Sequence, residues 1–408
     1  MPTLRLETVL NGHLKELGRT GRLKGEESVI TGAVPAGDGK GPRYLLKGQG
    51  DRRFLRMNSN GYLGLALHDK VKAAEEEAVR RFGTGPGAVR FISGTWEPHV
   101  ALEQKIAAFH DRPAAILFSS AYAAVMGILP PLITERTAVI SDELNHNSII
   151  NAIALGRPAE KRIYRHFDMD ELERHLAEAA RSCARAIIVT DGVFSMRGDH
   201  APLERIRALI DRFDAAFAEN ALLIVDDSHG VGALGRSGRG AEEVTRAGAA
   251  DLLVATLGKA FGVNGGYVVG SDTLIRFLRE ASSFYIYSNP ITPAEAAAAL
   301  AAVGIVDGPD GRALLAHLRA RTEQFRRGLA NLGLETLAGE HPVVPLMVRD
   351  TQRTLGIIRH LRDEGILATG LNYPVVPKGD EEIRFQISAD HTATDVEEAL
   401  AVLRRLPR

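Results

Sequence analysis

The chain has 408 residues, 45% of them hydrophobic and 25% charged, with a formal net charge of −1. That length allows two or three domains with ample core, and the balanced charge gives no electrostatic case for nucleic acid or an anionic membrane surface. The single Cys183 excludes an intrachain disulfide, and no Cys/His cluster has zinc spacing, so no metal is expected.

Residues from about 4 to 18 pattern as a short amphipathic helix, with Leu4, Leu6, Val9, Leu10, Leu14 and Leu17 apolar. The start, Met1-Pro-Thr-Leu-Arg-Leu-Glu, lacks the long apolar core of a signal peptide, and Ala294 to Val303 is too short to cross a bilayer. A cytoplasmic protein is expected. Gly21 to Gly50 is rich in Gly and Lys without a sustained period and reads as an extended arm, of the kind that lies across a partner subunit. Helix and arm make a first segment, residues 1–52.

From residue 53 to 290 the chain reads as a large α/β domain. Asn60-Gly-Tyr-Leu-Gly64 is a turn, Lys70 to Phe82 a helix, and Gly83 to Thr95 a Gly-rich loop. Helix Val100 to Phe109 precedes strand Ala114 to Phe118, and Ser119-Ser-Ala-Tyr122 opens another helix. A strand, a small-residue turn and a helix N-terminus make a ready phosphate site, because free backbone N–H groups point outward there. Strand Thr137 to Ser141 leads to His146, and strand Ala186 to Thr190 to Asp191-Gly-Val-Phe-Ser195. Strand Ala221 to Val225 leads to Asp226-Asp-Ser-His229, and Leu252 to Ala255 to Thr256 and Lys259. Gly266 to Gly270 is one further strand. This βα alternation predicts a mostly parallel sheet covered by helices on both faces. After Pro290, two long helical patterns, two strands and two shorter helices predict a smaller α+β C-terminal domain, residues 291–408.

In open α/β sheets ligands bind at the carboxyl ends of the strands, where these polar groups fall. A lysine there forms a Schiff base with a carbonyl cofactor such as pyridoxal 5′-phosphate (PLP). Asp226 is a candidate partner for the pyridinium nitrogen, its alternative being a cap on the following turn. His229 can hydrogen-bond the cofactor's phenolic oxygen, and His146 offers a flat ring to stack on the pyridine, the alternative there being a helix cap. Ser195 and Thr256 offer hydroxyls. Gly230-Val-Gly-Ala-Leu-Gly235 matches a dinucleotide fingerprint, but Asp-Asp-Ser-His separates it from its strand and no apolar helix follows, so the match fails on context.

Taken together, Asn60-Gly-Tyr-Leu-Gly, Arg90-Phe-Ile-Ser-Gly-Thr95, Leu144-Asn-His-Asn-Ser-Ile149, Asp191-Gly-Val-Phe-Ser-Met-Arg-Gly198, Val225-Asp-Asp-Ser-His-Gly230, Thr256-Leu-Gly-Lys259 and Tyr287-Ser-Asn289 resemble the α-oxoamine synthases. These are PLP-dependent enzymes of the aspartate aminotransferase fold (fold type I). The resemblance spans about Asn58 to Leu403 and leans toward glycine C-acetyltransferase. It implies Lys259 as the Schiff-base lysine, Asp226 as the pyridinium partner and His146 as the stacking ring, these three being catalytic. It implies His229 and Ser195 at the phenolic oxygen, and Thr256 with the backbone of Ala121 and Tyr122 as the phosphate cradle. Ser288 and Asn289 would reach the phosphate from a second subunit, in a homodimer with shared active sites. Arg384, with Asn60, would grip the amino-acid carboxylate.

The reaction implied joins a small amino acid, glycine favoured, to an acyl-CoA, acetyl or another short acyl favoured. It releases CoA, loses CO2 on or off the enzyme, and gives an α-amino ketone or β-keto amino acid. Val89 and Phe91, being apolar, disfavour a succinyl carboxylate. The alternatives are the 8-amino-7-oxononanoate, 5-aminolevulinate and serine palmitoyltransferase types, with a longer acyl-CoA or an acyl-carrier protein. Further off stand an aminotransferase or aldolase of the same fold, and a PLP-binding regulator without turnover.

Overall fold

A computed structural model describes residues 3–20, 22–23, 27–248, 250–373 and 375–406. The opening Met1 and Pro2, residues 21 and 24–26 of the expected arm, and Pro374 lie outside them. Seven strands form the central sheet: β1 (Ala114–Phe118), β2 (Thr137–Asp142), β3 (Glu160–Tyr164), β4 (Arg185–Asp191), β5 (Ala221–Asp226), β6 (Leu252–Thr256) and β7 (Gly266–Gly270). Their spatial order is β1-β7-β6-β5-β4-β2-β3. Neighbours from β2 to β6 pair in parallel, and β7 runs antiparallel to both β6 and β1. This is the mostly parallel α/β sheet expected from the sequence.

The strands are near-continuous apolar runs because helices cover both faces. Side-chain alternation splits them between two cores: Leu223 and Val225 of β5 pack on one face and Ile224 on the other. Strand β3 went unread in the sequence. It lies at the sheet edge, and its Glu160, Lys161 and Arg162 leave no apolar run to recognise.

The expected arm is instead partly a hairpin. Ile30–Val34 pairs antiparallel with Arg43–Leu46 around a Gly37–Lys40 turn. Its end is anchored on the chain's own last helix, Ala393–Arg404: the Arg43 guanidinium meets the Asp395 carboxylate at 2.7 Å, and the Gly41 N–H donates to the same carboxylate at 2.8 Å. Helix Leu4–Arg19 buries none of its residues, so its apolar stripe faces outward.

The C-terminal part carries a three-stranded antiparallel sheet, with Glu382–Gln386 between Val343–Met347 and Thr369–Leu371. Strand Leu55–Arg56 pairs in parallel with Ile366–Leu367, although the sequence groups it with the large domain. The Met57 N–H donates to the Leu367 carbonyl and the Gln386 N–H to the Met57 carbonyl, at 2.8 and 2.9 Å. That seam carries Asn60 to the rim of the central sheet. Among the described residues, no helix is long and apolar enough to cross a membrane.

Candidate active site

Strands β2, β4, β5 and β6 each end in a polar group on the same edge, and between them lies a cavity of about 250 Å³. Its lining includes Ala121, Tyr122, His146, Ser195, Asp226, His229, Thr256 and Lys259, eight of the positions named from sequence. Ser120, Ser148, Asp191, Val193 and Ser228 complete it.

Lys259 stands three residues past β6 on a turn closed by Gly262, whose φ is +71°; a Cβ there would meet the Ala66 nitrogen at 2.3 Å. Burial pushes the Lys259 amine down to about 8, against the opposing pull of the Asp226 and Asp191 carboxylates. Among the described residues it forms no ion pair, which leaves an unpaired amine facing the cavity.

Asp226 and Asp227 alternate across the end of β5. Asp227 turns away and accepts from the Ala241 N–H at 2.7 Å, while Asp226 lines the cavity. Asp226 makes the contacts of a turn cap. Its Oδ1 accepts from the Ser228 N–H at 3.1 Å and the Ser228 hydroxyl at 2.5 Å, and its Oδ2 has no partner among the described residues.

His146 likewise does two things: its Nδ1 caps helix Asn147–Gly156 through the Ser148 N–H, and its ring borders the cavity. Burial lowers its pKa, with Asp226 pulling the other way. Burial drives His229 well below the ordinary histidine range, so its ring is neutral. Its Nδ1 lies 2.7 Å from the Tyr62 hydroxyl, which fixes the ring, and its other nitrogen has no partner among the described residues.

At the opposite side, helix Ala121–Leu132 presents its first N–H groups, which have no intrahelical partner. Strand β7 passes directly beneath: a Cβ on Gly266 would meet the Ala121 nitrogen at 2.3 Å. The Thr256 hydroxyl, now donating to the Gly265 carbonyl at 3.2 Å, stands beside this helix end.

Arg384 and Asn60 flank the cavity. The Arg384 guanidinium donates to the Ser195 carbonyl at 2.9 Å and reaches Asn60 Oδ1 at 3.4 Å. In the amide orientation that satisfies both ends, Gln386 accepts from Arg384 Nε at 2.8 Å. Ser288 and Asn289 are not in the lining; within one chain Asn289 is exposed and Ser288 half-buried.

Sequence reasoning passed over Asp191 and Tyr62. Asp191 is the register partner of Asp226 and accepts from the His146 N–H at 3.2 Å; burial and the Asp226 charge raise its pKa well above the usual range. Its place at a strand's carboxyl end was the available signal. Tyr62 offered none, because its contact with His229 spans 167 positions.

The Glu243 carboxylate takes the N–H groups of Arg236, Ser237 and Arg239 that follow the Gly230–Gly235 loop. Among the described residues no cluster of His, Cys, Asp and Glu is arranged for a metal ion.

An unpaired amine, a carboxylate with one oxygen unpartnered among the described residues and an open helix N-terminus line one cavity, which suits a carbonyl-bearing phosphorylated heteroaromatic cofactor. Residues 52–403 match the profile of aminotransferase class I and II. The 8-amino-7-oxononanoate synthase of Geobacter sulfurreducens is 43% identical over 368 residues, 90% of this chain and 91% of the relative. That of Fervidobacterium nodosum is 41% identical over 353 residues, 86% of this chain and 87% of its own. Serine palmitoyltransferase from S. paucimobilis, solved with a PLP-myriocin aldimine, is 25% identical with a TM-score of 0.85, over 97% of this chain and 96% of that one. These names do not include the glycine C-acetyltransferase toward which the motifs lean, and they support the 8-amino-7-oxononanoate alternative instead. The chain belongs to the aminotransferase class I and II family of PLP-dependent enzymes, and within it to the acyl-transferring α-oxoamine synthases.

Proposed function

We propose that the chain joins alanine to a heptanedioyl thioester and releases 8-amino-7-oxononanoate. The observation that carries this reading is the 43% identity, over nine-tenths of the chain, to a relative of that name. The name itself fixes the chemistry. A nine-carbon acid with a ketone at C7 and an amine at C8 divides at the C7–C8 bond into a seven-carbon dicarboxylic acyl group and the two carbons left when alanine loses CO2. Alanine therefore replaces glycine as the favoured amine, and heptanedioyl replaces acetyl.

When bound, PLP supplies a ring that accepts the electron pair freed as a bond to the amino-acid α-carbon breaks. The chain's own residues do the rest. Lys259 is the attachment amine and takes the α-proton. The free Asp226 Oδ2 keeps a proton on the ring nitrogen, and His146 covers the ring face. His229, neutral and held by Tyr62, donates to the phenolic oxygen with Ser195. The N–H groups of Ala121 and Tyr122, with the Thr256 hydroxyl, hold the phosphate. Arg384 and Asn60 hold the α-carboxylate, for which a planar guanidinium fork is suited.

The active unit in this reading is a homodimer, in which Ser288 and Asn289 of each chain complete the other's phosphate site. Phe91 and Ile92, each 67% exposed, and Tyr287, 79% exposed, support it, since exposed side chains of this size want a covering surface.

The test is release of the free thiol, of CoA or of the carrier, over a grid of Gly, Ala and Ser against acetyl, succinyl, octanoyl, palmitoyl and heptanedioyl CoA thioesters, the last also on an acyl-carrier protein. The expected strong cell is alanine with heptanedioyl. A strong glycine–acetyl cell in its place would overturn the reading.

A further inference from the structure

A second cavity, of about 450 Å³, adjoins the first, and Ser195 lines both. Much of its wall is apolar, from Leu144, Phe194, Met196, Met347 and Val376, which suits a methylene chain. Among its charged groups most are already matched. His166 sits between Asp142 and Asp199 at 3.1 and 3.4 Å, Glu143 accepts from the His166 N–H at 2.9 Å, and Asp380 faces Arg349 at 3.5 Å.

Two groups are left over. Arg197 spends its Nε on Asp199 at 2.8 Å, and its two terminal nitrogens have no partner among the described residues. Glu382 is 3% exposed, and its Oε1 is buried without a hydrogen bond. Buried polar atoms in folded proteins are nearly always paired, so an unpaired one facing a cavity marks a place for a ligand atom.

We infer that this second cavity seats the acyl chain of the thioester, and that Arg197 and Glu382 together grip the carboxylate at its far end. The inference rests on the function proposed above and names the subsite that would select its acyl group. Register supports it. Glu382 and Arg384 are two residues apart on one strand, so their side chains share a face and stand about 7 Å apart along it. Six extended backbone-like bonds, the span from C7 to C1 of the acyl group, cover about 7 Å. With the amino-acid carboxylate on Arg384, the distal carboxylate reaches the neighbourhood of Glu382. Burial, opposed by Arg384 and Arg197, lifts the Glu382 carboxyl to about 8, so at neutral pH it holds a proton. A protonated acid and a guanidinium are both donors, and a carboxylate needs donors. A plain alkyl end would leave the buried Glu382 Oε1 unpaired.

The experiment uses the PLP-loaded enzyme with alanine and compares kcat/KM for heptanedioyl-CoA and heptanoyl-CoA, which differ only in the terminal carboxylate. The wild type should prefer the dicarboxylic thioester by at least about tenfold, because a site built to hydrogen-bond a group discriminates against its absence. Arg197→Met and Glu382→Leu should each lower that ratio at least about tenfold, while Glu382→Gln, still a donor, should keep most of it. Should Glu382→Leu fail to fold, Arg197→Met decides alone, since that side chain is 39% exposed. Equal use of both thioesters by the wild type, or a ratio that neither substitution moves, overturns the subsite and leaves the alanine acyltransferase standing. Turnover confined to glycine with acetyl-CoA overturns both.

Discussion

The carboxyl edge of the central sheet and the seam with the C-terminal part meet at the same cavity but are built differently. On the edge, each group lies within a few residues of the strand that delivers it: Asp191 and Asp226 end β4 and β5, and Lys259 stands just past β6. On the seam, Arg384 meets Asn60 across 324 positions and Arg43 meets Asp395 across 352. In the function proposed, the edge would hold groups that cofactor chemistry demands of any substrate, and the seam groups that recognise one substrate. Local encoding suits the first task, and the second depends on how distant segments pack.

Breaking the edge should therefore stop all turnover whatever the substrate. In Lys259→Ala we expect kcat to fall by at least about 10³-fold with every amino acid and thioester, with the protein still folded and still taking up PLP. Steady-state CoA release alongside cofactor content checks this, and wild-type rates in the variant would remove Lys259 from its role.

Breaking the seam should act on one substrate only. Arg384→Ala removes charge-assisted hydrogen bonds worth about 1.5–3 kcal/mol, so KM for the amino acid should rise about 10- to 100-fold. KM for the thioester should move far less. Kinetics with each substrate varied in turn separate the two, and equal losses would mean that Arg384 does not hold the amino-acid carboxylate.

The same contrast explains what could be read in the sequence. Buried strands β2 and β4 to β6 announce themselves as apolar runs ending in a polar residue, and those ends share the edge that holds the first cavity. His146, Asp226, His229 and Lys259 were legible for this reason. The 30–46 hairpin was not, because turn residues and Lys break its period and its anchor, Asp395, lies at the far end of the chain. The acyl group was not legible on the same account. Val89 and Phe91 spoke only against a succinyl carboxylate, and in the fold Arg90 turns inward to Glu103 at 3.1 Å while Phe91 is 67% exposed. Neither Val89 nor Phe91 lines either cavity. The residues that do line the acyl-side cavity come from 143–144, 166, 194–197, 347 and 375–382, and only the fold gathers them.

Edge and seam act together on one observable, the proton of Lys259. The amine attacks the cofactor's aldehyde only after losing that proton, and burial has brought its pKa down to about 8 from 10.5. The rate at which cofactor-free enzyme takes up PLP should thus rise about tenfold per pH unit below 8 and level off above it, whereas an unperturbed lysine would still be gaining at pH 10. Stopped-flow uptake across that range measures the midpoint, and a plateau beginning only above pH 10 would refute it. The causes predict opposite displacements. The Asp226 carboxylate favours the charged amine, so Asp226→Asn should move the midpoint down. The Arg384 guanidinium disfavours it, so Arg384→Ala should move the midpoint up. If neither substitution moves it, burial alone sets the lysine and the seam has no electrical hold on the edge.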